Sequence, residues 1–353
     1  MANNMEGPLN VKAIFAPYAQ SIDQELLTLF EQQPDYKMYG MQRYFMGFAD
    51  EKFQPLSTYG GKRFRSGLAL LVADMYGVKA ETLDIAVAIE LFHNFTLIHD
   101  DIEDNDELRR GRPTVWKLWG VPQAINAGDA QLIMVSEVMI RGCQKLGQSG
   151  YRLQQILLGR FREVTEGQYL DFTLTEAALD DPLVNEVNYF SMLGKKTSVL
   201  VGVATQAPGI VATLPEPEQQ ALWEYGYALG VAYQLCDDCM SIWGEGATTG
   251  KDLLGDLKEK KKTLPILLAR DHLPVADQKR LVHLYGKTEA LTEEEAREVK
   301  TLLDTTSVHD QVCERIDQYR GQAQQALTKL TLSNTQQATL DAVLEALLPE
   351  TRR

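Results

Sequence analysis

The chain has 353 residues, of which 44% are hydrophobic and 24% charged, and a formal net charge of -14. This composition supports a large apolar core, and so acidic a balance argues against a broad nucleic-acid-binding face. Four cysteines are too few for a disulfide framework, no apolar run approaches the ~18 residues of a membrane span, and Met1 to Asn10 lacks the basic and apolar regions of a signal peptide, so the expectation is a soluble, cytoplasmic protein with no membrane span and no nucleic-acid partner.

Helical periodicity dominates the chain in order. Residues 1–33 are expected to form a peripheral helical segment. Tyr59-Gly60-Gly61 precedes a helix start. Ile85, Ile89, Phe92 and Thr96 follow at steps of four, three and four, which is one stripe of a helix. Gly111-Arg112-Pro113-Thr114 reads as a turn with a cap at Thr114. Asp180-Asp181-Pro182, Ala207-Pro208-Gly209 and Leu214-Pro215-Glu216-Pro217 are expected to end or start helices. A second stripe runs through Leu222, Tyr225, Leu229, Ala232 and Cys236. Gly244 to Gly255 reads as a loop, and Thr292 to Glu295 and Ser333 to Gln336 read as helix N-termini. Long alternating apolar-polar segments are scarce, which argues against a sheet. The expectation is an all-α fold, with residues 1–353 as one domain, a helical bundle around a central cavity.

Two acidic constellations carry the chemistry. In Asp100-Asp101-Ile102-Glu103-Asp104, positions i and i+4 share a helix face, so Asp100 and Asp104 project together. Like charges at that spacing need a positive partner, and hard divalent cations prefer carboxylate oxygen. Asp237-Asp238 closes a second apolar helix in the same way. Basic residues accompany both. Arg109 and Arg110 follow the first cluster, and Lys251, Lys261 and Lys262 follow the second. Gly60-Gly61-Lys62-Arg63-Phe64-Arg65 sets glycines before a helix start, where an anion is favoured. Arginine's planar fork suits phosphate oxygens. Cys236-Asp237-Asp238-Cys239 reads as C-x-x-C, but no second Cys/His pair lies nearby in the sequence, so the thiols are expected to pack as small residues.

These segments resemble the trans-isoprenyl diphosphate synthase (polyprenyl synthetase) family. The likeness rests on Gly60 to Arg65, on Leu97-Ile98-His99-Asp100-Asp101-Ile102-Glu103-Asp104 running into Leu108-Arg109-Arg110-Gly111, on Lys196-Thr197, on Gln234-Leu235-Cys236-Asp237-Asp238, and on Gly250-Lys251 and Asp256 through Pro265. They stand in the family's order within residues 55–265. The resemblance implies head-to-tail condensation of isopentenyl diphosphate with an allylic diphosphate (dimethylallyl, geranyl or farnesyl), in a homodimer. It implies about three magnesium ions per active site, held by Asp100, Asp104 and Asp237. Asp101 and Asp238 would act partly through metal-bound water. Arg109, Lys196, Lys251 and Lys261 would contact the allylic diphosphate, and Lys62, Arg65, His93 and Arg110 the isopentenyl diphosphate. Thr197, Gln234 and the carbonyl of Lys196 would lie along the forming carbocation, with Gln168 near the same site. His99 is assigned no catalytic role. The sequence departs from the family where a third aspartate usually ends the second motif, because Ser241 stands there.

The growing prenyl tail is expected to run from the Asp cluster toward lower numbers. Phe95, Thr96 and Phe92 would then form the floor that limits chain length. The string His93 to His99 resembles geranylgeranyl diphosphate synthases, so a C20 product is expected, with C15 next. A class I terpene cyclase and a non-catalytic synthase subunit are the alternatives. Lys62, Arg65 and Arg110 argue against the first, and the intact first aspartate motif against the second.

Overall fold

The computed structural model describes residues 11–56, 61, 63–244 and 254–348. Helices account for nearly all regular structure among them. The exception is a hairpin of two-residue strands, β1 (Leu108–Arg109) and β2 (Arg112–Pro113), paired antiparallel. The all-α expectation holds. The described residues fall into two compact units, Met1–Leu158 with Ala204–Gln219, and Gly159–Val203 with Gln220–Arg353.

The first unit contains α1 (Val11–Glu31), α2 (Lys37–Phe45), α3 (Phe64–Met75), α4 (Lys79–Glu103), the hairpin, α5 (Val115–Trp119) and α6 (Val121–Gln144). Helix α1 buries Phe15, Ile22 and Leu26. Along α4 the sequence stripe becomes core, because Ile85, Ile89 and Phe92 are all buried. Helix α6 contributes Met134, Val135 and Val138. Close approach of α4 to α6 depends on Gly128, where an added Cβ would lie 2.3 Å from the His99 ring. His99 thus packs on α6.

Helix α7 (Gly147–Glu176) runs into the second unit at Gly159, that unit continues through α8 (Glu186–Leu193) and a π-helical turn (Gly194–Ser198), and α9 (Val199–Val211) returns to the first unit at Ala204. Then come α10 (Glu216–Trp243), α11 (Gly255–Lys258), α12 (Leu264–His272), α13 (Val275–Tyr285), α14 (Glu293–Asp304), α15 (Val308–Leu327) and α16 (Asn334–Leu347). Thr292 and Ser333 form the expected capping boxes with Glu295 and Gln336. Thr114 precedes α5 as expected, but its hydroxyl donates to the Asp106 carbonyl at 2.7 Å rather than capping. The break expected at Ala207-Pro208-Gly209 is not there, since α9 runs through Pro208. Every residue of α9 is buried. Packing of that apolar helix outweighs a proline cost of about 3 kcal/mol. Much of the expected loop from Gly244 to Gly255 lies outside the described residues.

Candidate active site

In the first unit, Asp100 and Asp101 end α4 and Asp104 is its C-cap residue. Arg109 lies against them from β1. Its Nη2 donates to Asp100 Oδ2 at 3.2 Å, and its Nε donates to Asp101 Oδ1. The positive charge that the carboxylates require is therefore supplied in part by Arg109. Asp101 is 1% exposed, and its Oδ2 has no hydrogen-bond partner among the described residues. Burial pushes the Asp101 carboxyl up to about 6, against the opposing pull of Arg109. The hairpin that aims the arginines closes on two left-handed residues, Arg110 (φ 54) and Gly111 (φ 74). That is a type I′ turn, and it explains why glycine follows the arginine pair.

Behind the hairpin is a cationic cluster. Arg65 Nη1 is 3.0 Å from His93 Nε2. Guanidinium only donates, so Nε2 accepts and the His93 proton sits on Nδ1. Burial, followed by the charges of Arg65, Arg110, Arg109 and Arg63, holds His93 well below its ordinary pKa, so the ring is neutral. Desolvation also lowers Arg110, and the charges of Arg63 and Arg109 add to the shift. Gly61 (φ +119) leaves open space beside these groups, since an added Cβ would stand 3.3 Å from the Arg63 guanidinium and 3.6 Å from that of Arg110. Arg65 is half-buried and Arg110 exposed, and guanidiniums crowded beside a neutral imidazole could receive an anion. Lys62 lies outside the described residues.

Arg63 has a different role from its neighbours. Its side chain is 1% exposed and bridges Asp23 at 2.7 Å and Glu90 at 3.1 Å. Ser66 and Asn94 also donate to Glu90, at 2.7 and 3.1 Å. Burial pushes the Glu90 carboxyl up, but Arg63 and these hydrogen bonds outweigh it and hold the carboxyl below its ordinary value.

The second unit contains a cavity of about 200 Å³ that gathers Lys196, Thr197, Gln234, Asp237, Asp238 and Lys261. The sequence assigned all six to one chemistry. Asp238 is buried and accepts from Tyr189 Oη at 2.6 Å and Gln234 Nε2 at 2.8 Å. Thr197 Oγ1 donates to Gln234 Oε1 at 3.3 Å, which links the π turn to α10. Desolvation, followed by the charge of Asp256, pushes Asp238 up to about 7. The π turn itself widens the helix at Lys196-Thr197, with the Val199 N–H bonded to Gly194 five residues back. It is held against α7 at Gly167, where an added Cβ would meet the Lys196 nitrogen at 2.2 Å. Gln168 is half-buried beside it on α7. Ser241 Oγ donates to the Asp238 carbonyl at 2.8 Å, so its hydroxyl serves the helix backbone. Lys251 lies outside the described residues.

Among the charged and aromatic residues of the cavity, Asp171, Tyr189 and Asp256 were given no role by the sequence reading, and Lys262 was named only as a cation near the second cluster. Asp171 accepts from Lys196 Nζ at 2.5 Å, and Asp256 from Lys261 Nζ at 3.4 Å. Lys262 is buried with its ammonium on the Thr175 carbonyl, and burial pulls its pKa down to about 8. Asp256 and Lys262 fall inside the Asp256 to Pro265 run and could have been flagged from it. Asp171 and Tyr189 carry no signal in the sequence. Of the three chain-length residues, Phe92 is 2% exposed and Phe95 and Thr96 are half-buried. Phe95 sits between the rings of Phe92 and His99, with centroids at 5.8 and 4.8 Å.

Residues 49–303 match the polyprenyl synthetase family model. The chain belongs to that family. Members named among its relatives include the (2E,6E)-farnesyl diphosphate synthase of Mycobacterium tuberculosis, 36% identical over 253 residues, which cover 70% of this chain and 68% of that one. The geranylgeranyl pyrophosphate synthase of Geoglobus acetivorans is 32% identical over 321 residues, covering 90% and 92%. The polyprenyl synthetase of Streptomyces coelicolor A3(2) has the same fold, with a TM-score of 0.84 at 27% identity, covering 96% of this chain and all of that one. The chain is a trans-prenyltransferase of the isoprenyl diphosphate synthase type. No helix among the described residues is long and apolar enough to cross a membrane.

Proposed function

We propose that this prenyltransferase, working as one catalytic domain, elongates an allylic diphosphate with isopentenyl diphosphate, mainly to the C20 product. The observation that carries the reading is the pairing of two kinds of site in one chain: carboxylate clusters fit for magnesium, and a separate cationic receptor fit for a second diphosphate. A cyclase has no use for the receptor built by Arg65, His93 and Arg110, and Lys62 belongs to the same sequence motif. The carboxylates fit a hard cation because they are oxygen donors, and Asp101 offers a buried oxygen with no hydrogen-bond partner among the described residues.

In this reading Asp100, Asp104 and Asp237 hold magnesium, and Asp101 and Asp238 support it through water. Magnesium held there would supply positive charge to the diphosphate leaving the allylic carbon. Lys196 and Lys261 neutralise the same leaving group, and Arg109 does so while orienting Asp100 and Asp101. Lys251 joins them on sequence grounds. Gln234 and Thr197 turn oxygens toward the positive charge that develops on the allyl group. Arg65, Arg110 and neutral His93 seat isopentenyl diphosphate. The proton lost after the new C–C bond forms goes to the departing diphosphate, since no protein base is required. Chromatography of products from isopentenyl diphosphate and each allylic starter, with and without magnesium, tests the reading. A magnesium-dependent C20 diphosphate is expected, and a hydrocarbon released from geranylgeranyl diphosphate alone would point to a cyclase.

Relatives that make farnesyl and geranylgeranyl products both resemble this chain, so the C20 assignment rests on Phe95 and its surroundings. Phe95→Ala should lengthen the main product by at least one isoprene unit. An unchanged product profile would remove Phe95 from the floor.

The homodimer is supported by an unpartnered apolar stripe on one unit. Val121, Ile125, Ile133 and Ile140 are exposed along α6, and Tyr151 and Leu158 follow at i and i+7 on α7. Ile133, 61% exposed, is the most open residue of the α6 stripe. Ile133→Glu should shift the molecule from dimer to monomer mass by light scattering. Retention of dimer mass would place the interface elsewhere.

A further inference from the structure

Helix α10 carries two thiols besides its aspartates. Cys236 and Cys239 stand at i and i+3, and each is 2% exposed. Helix α15 carries His309 and Cys313 at i and i+4, on one face. The fold brings the pairs together: Sγ of Cys239, Sγ of Cys313 and a ring nitrogen of His309 all lie within 4.8 Å of one another. Cys313 Sγ is 4.0 Å from the His309 ring nitrogens. A zinc ion with Zn–S bonds of about 2.3 Å spaces its tetrahedral ligands roughly 3.8 Å apart. The side chains are thus within about one ångström of a coordinating arrangement. No disulfide joins these cysteines.

The surroundings also suit a bound ion. The edge of Trp243 packs on His309 with centroids 4.9 Å apart, and Asp310 Oδ1 is 3.8 Å from His309 Nδ1. That carboxylate lies beyond hydrogen-bond distance and adds only negative charge beside the ring. The sequence shows only half of this cluster, because the second pair lies about seventy residues beyond the first along the chain.

We propose that Cys239, His309 and Cys313 form a site for a thiophilic divalent ion of the zinc class, with Cys236 as the candidate for the fourth position. Each thiol that binds releases its proton to solvent. The ion would tie α10 to α15 and brace the helix that carries Asp237 and Asp238, independently of the magnesium chemistry. The reduced full-length protein, exposed to zinc and then dialysed against excess magnesium, should keep one zinc per chain by elemental analysis. Cobalt in place of zinc should give thiolate-to-cobalt charge-transfer absorption. Cys313→Ser and His309→Gln should each lose the retained zinc. Zinc that magnesium displaces, zinc kept equally by both variants, or wild-type protein with no thiolate–cobalt band would each overturn the proposal. The cobalt spectrum needs no variant, so a misfolded substitution does not blunt the test.

Discussion

Asp237→Asn should slow condensation by about 10²- to 10³-fold, the effect of removing one preorganised electrostatic group from a transition state. Asp237 is half-buried in a cavity that also holds Asp238, Asp256, Lys196 and Lys261. The amide keeps the size of the side chain and removes its charge. The neighbouring carboxylates then have less negative charge with which to hold magnesium against solvent. Raising magnesium should recover part of the loss, because a weakened ligand set needs more metal to fill. Rates of isopentenyl diphosphate incorporation across a magnesium series provide the measurement. A variant with wild-type rates at every magnesium level would remove Asp237 from the ligand set. Asp100→Asn should behave alike.

Arg63→Ala should cost about 3–5 kcal/mol of stability, the range for breaking a buried ion pair and leaving its partner charged. Arg63 is the counter-ion of both Asp23 and Glu90, and its Nη2 also donates to the Met46 carbonyl at 3.1 Å. Truncation strands Glu90, which is 4% exposed. The pH dependence follows from the direction of the Glu90 shift. Its folded carboxyl lies below the ordinary value, so the pair's contribution is complete above the unfolded-state pKa and fades as pH falls through the folded one. Urea unfolding at neutral and acid pH should show the wild type approaching the variant only in acid. Glu90→Gln in the Arg63→Ala background should recover part of the loss. Equal urea midpoints for wild type and Arg63→Ala at neutral pH would contradict this account.

The charged motifs were readable because each is local. Asp100, Asp101 and Asp104 occupy one stretch at the end of an apolar helix, and Asp237 and Asp238 occupy another. The arginine pair and its glycine are likewise adjacent, and the I′ turn needs nothing distant. What could not be read depends on packing between separated segments. Tyr189 meets Asp238 across 49 residues, and Asp171 meets Lys196 across 25. Nothing in the local sequence distinguishes Tyr189 from other core tyrosines. Arg63 is the sharper lesson. In sequence it is one of three cations in a short run, yet Asp23 and Glu90 make it part of the scaffold, while Arg65 beside it faces His93. Pro208 shows the opposite limit, where a strong local breaker is overruled by burial of the whole helix.

In the proposed reaction one chain ionises an allylic diphosphate and joins it to a second, separately seated diphosphate. Counting inorganic diphosphate released against isopentenyl diphosphate consumed tests it most directly. One diphosphate should appear per isopentenyl unit incorporated, with both processes stopping when magnesium is chelated. Release of diphosphate from the allylic substrate at an undiminished rate without isopentenyl diphosphate would contradict it.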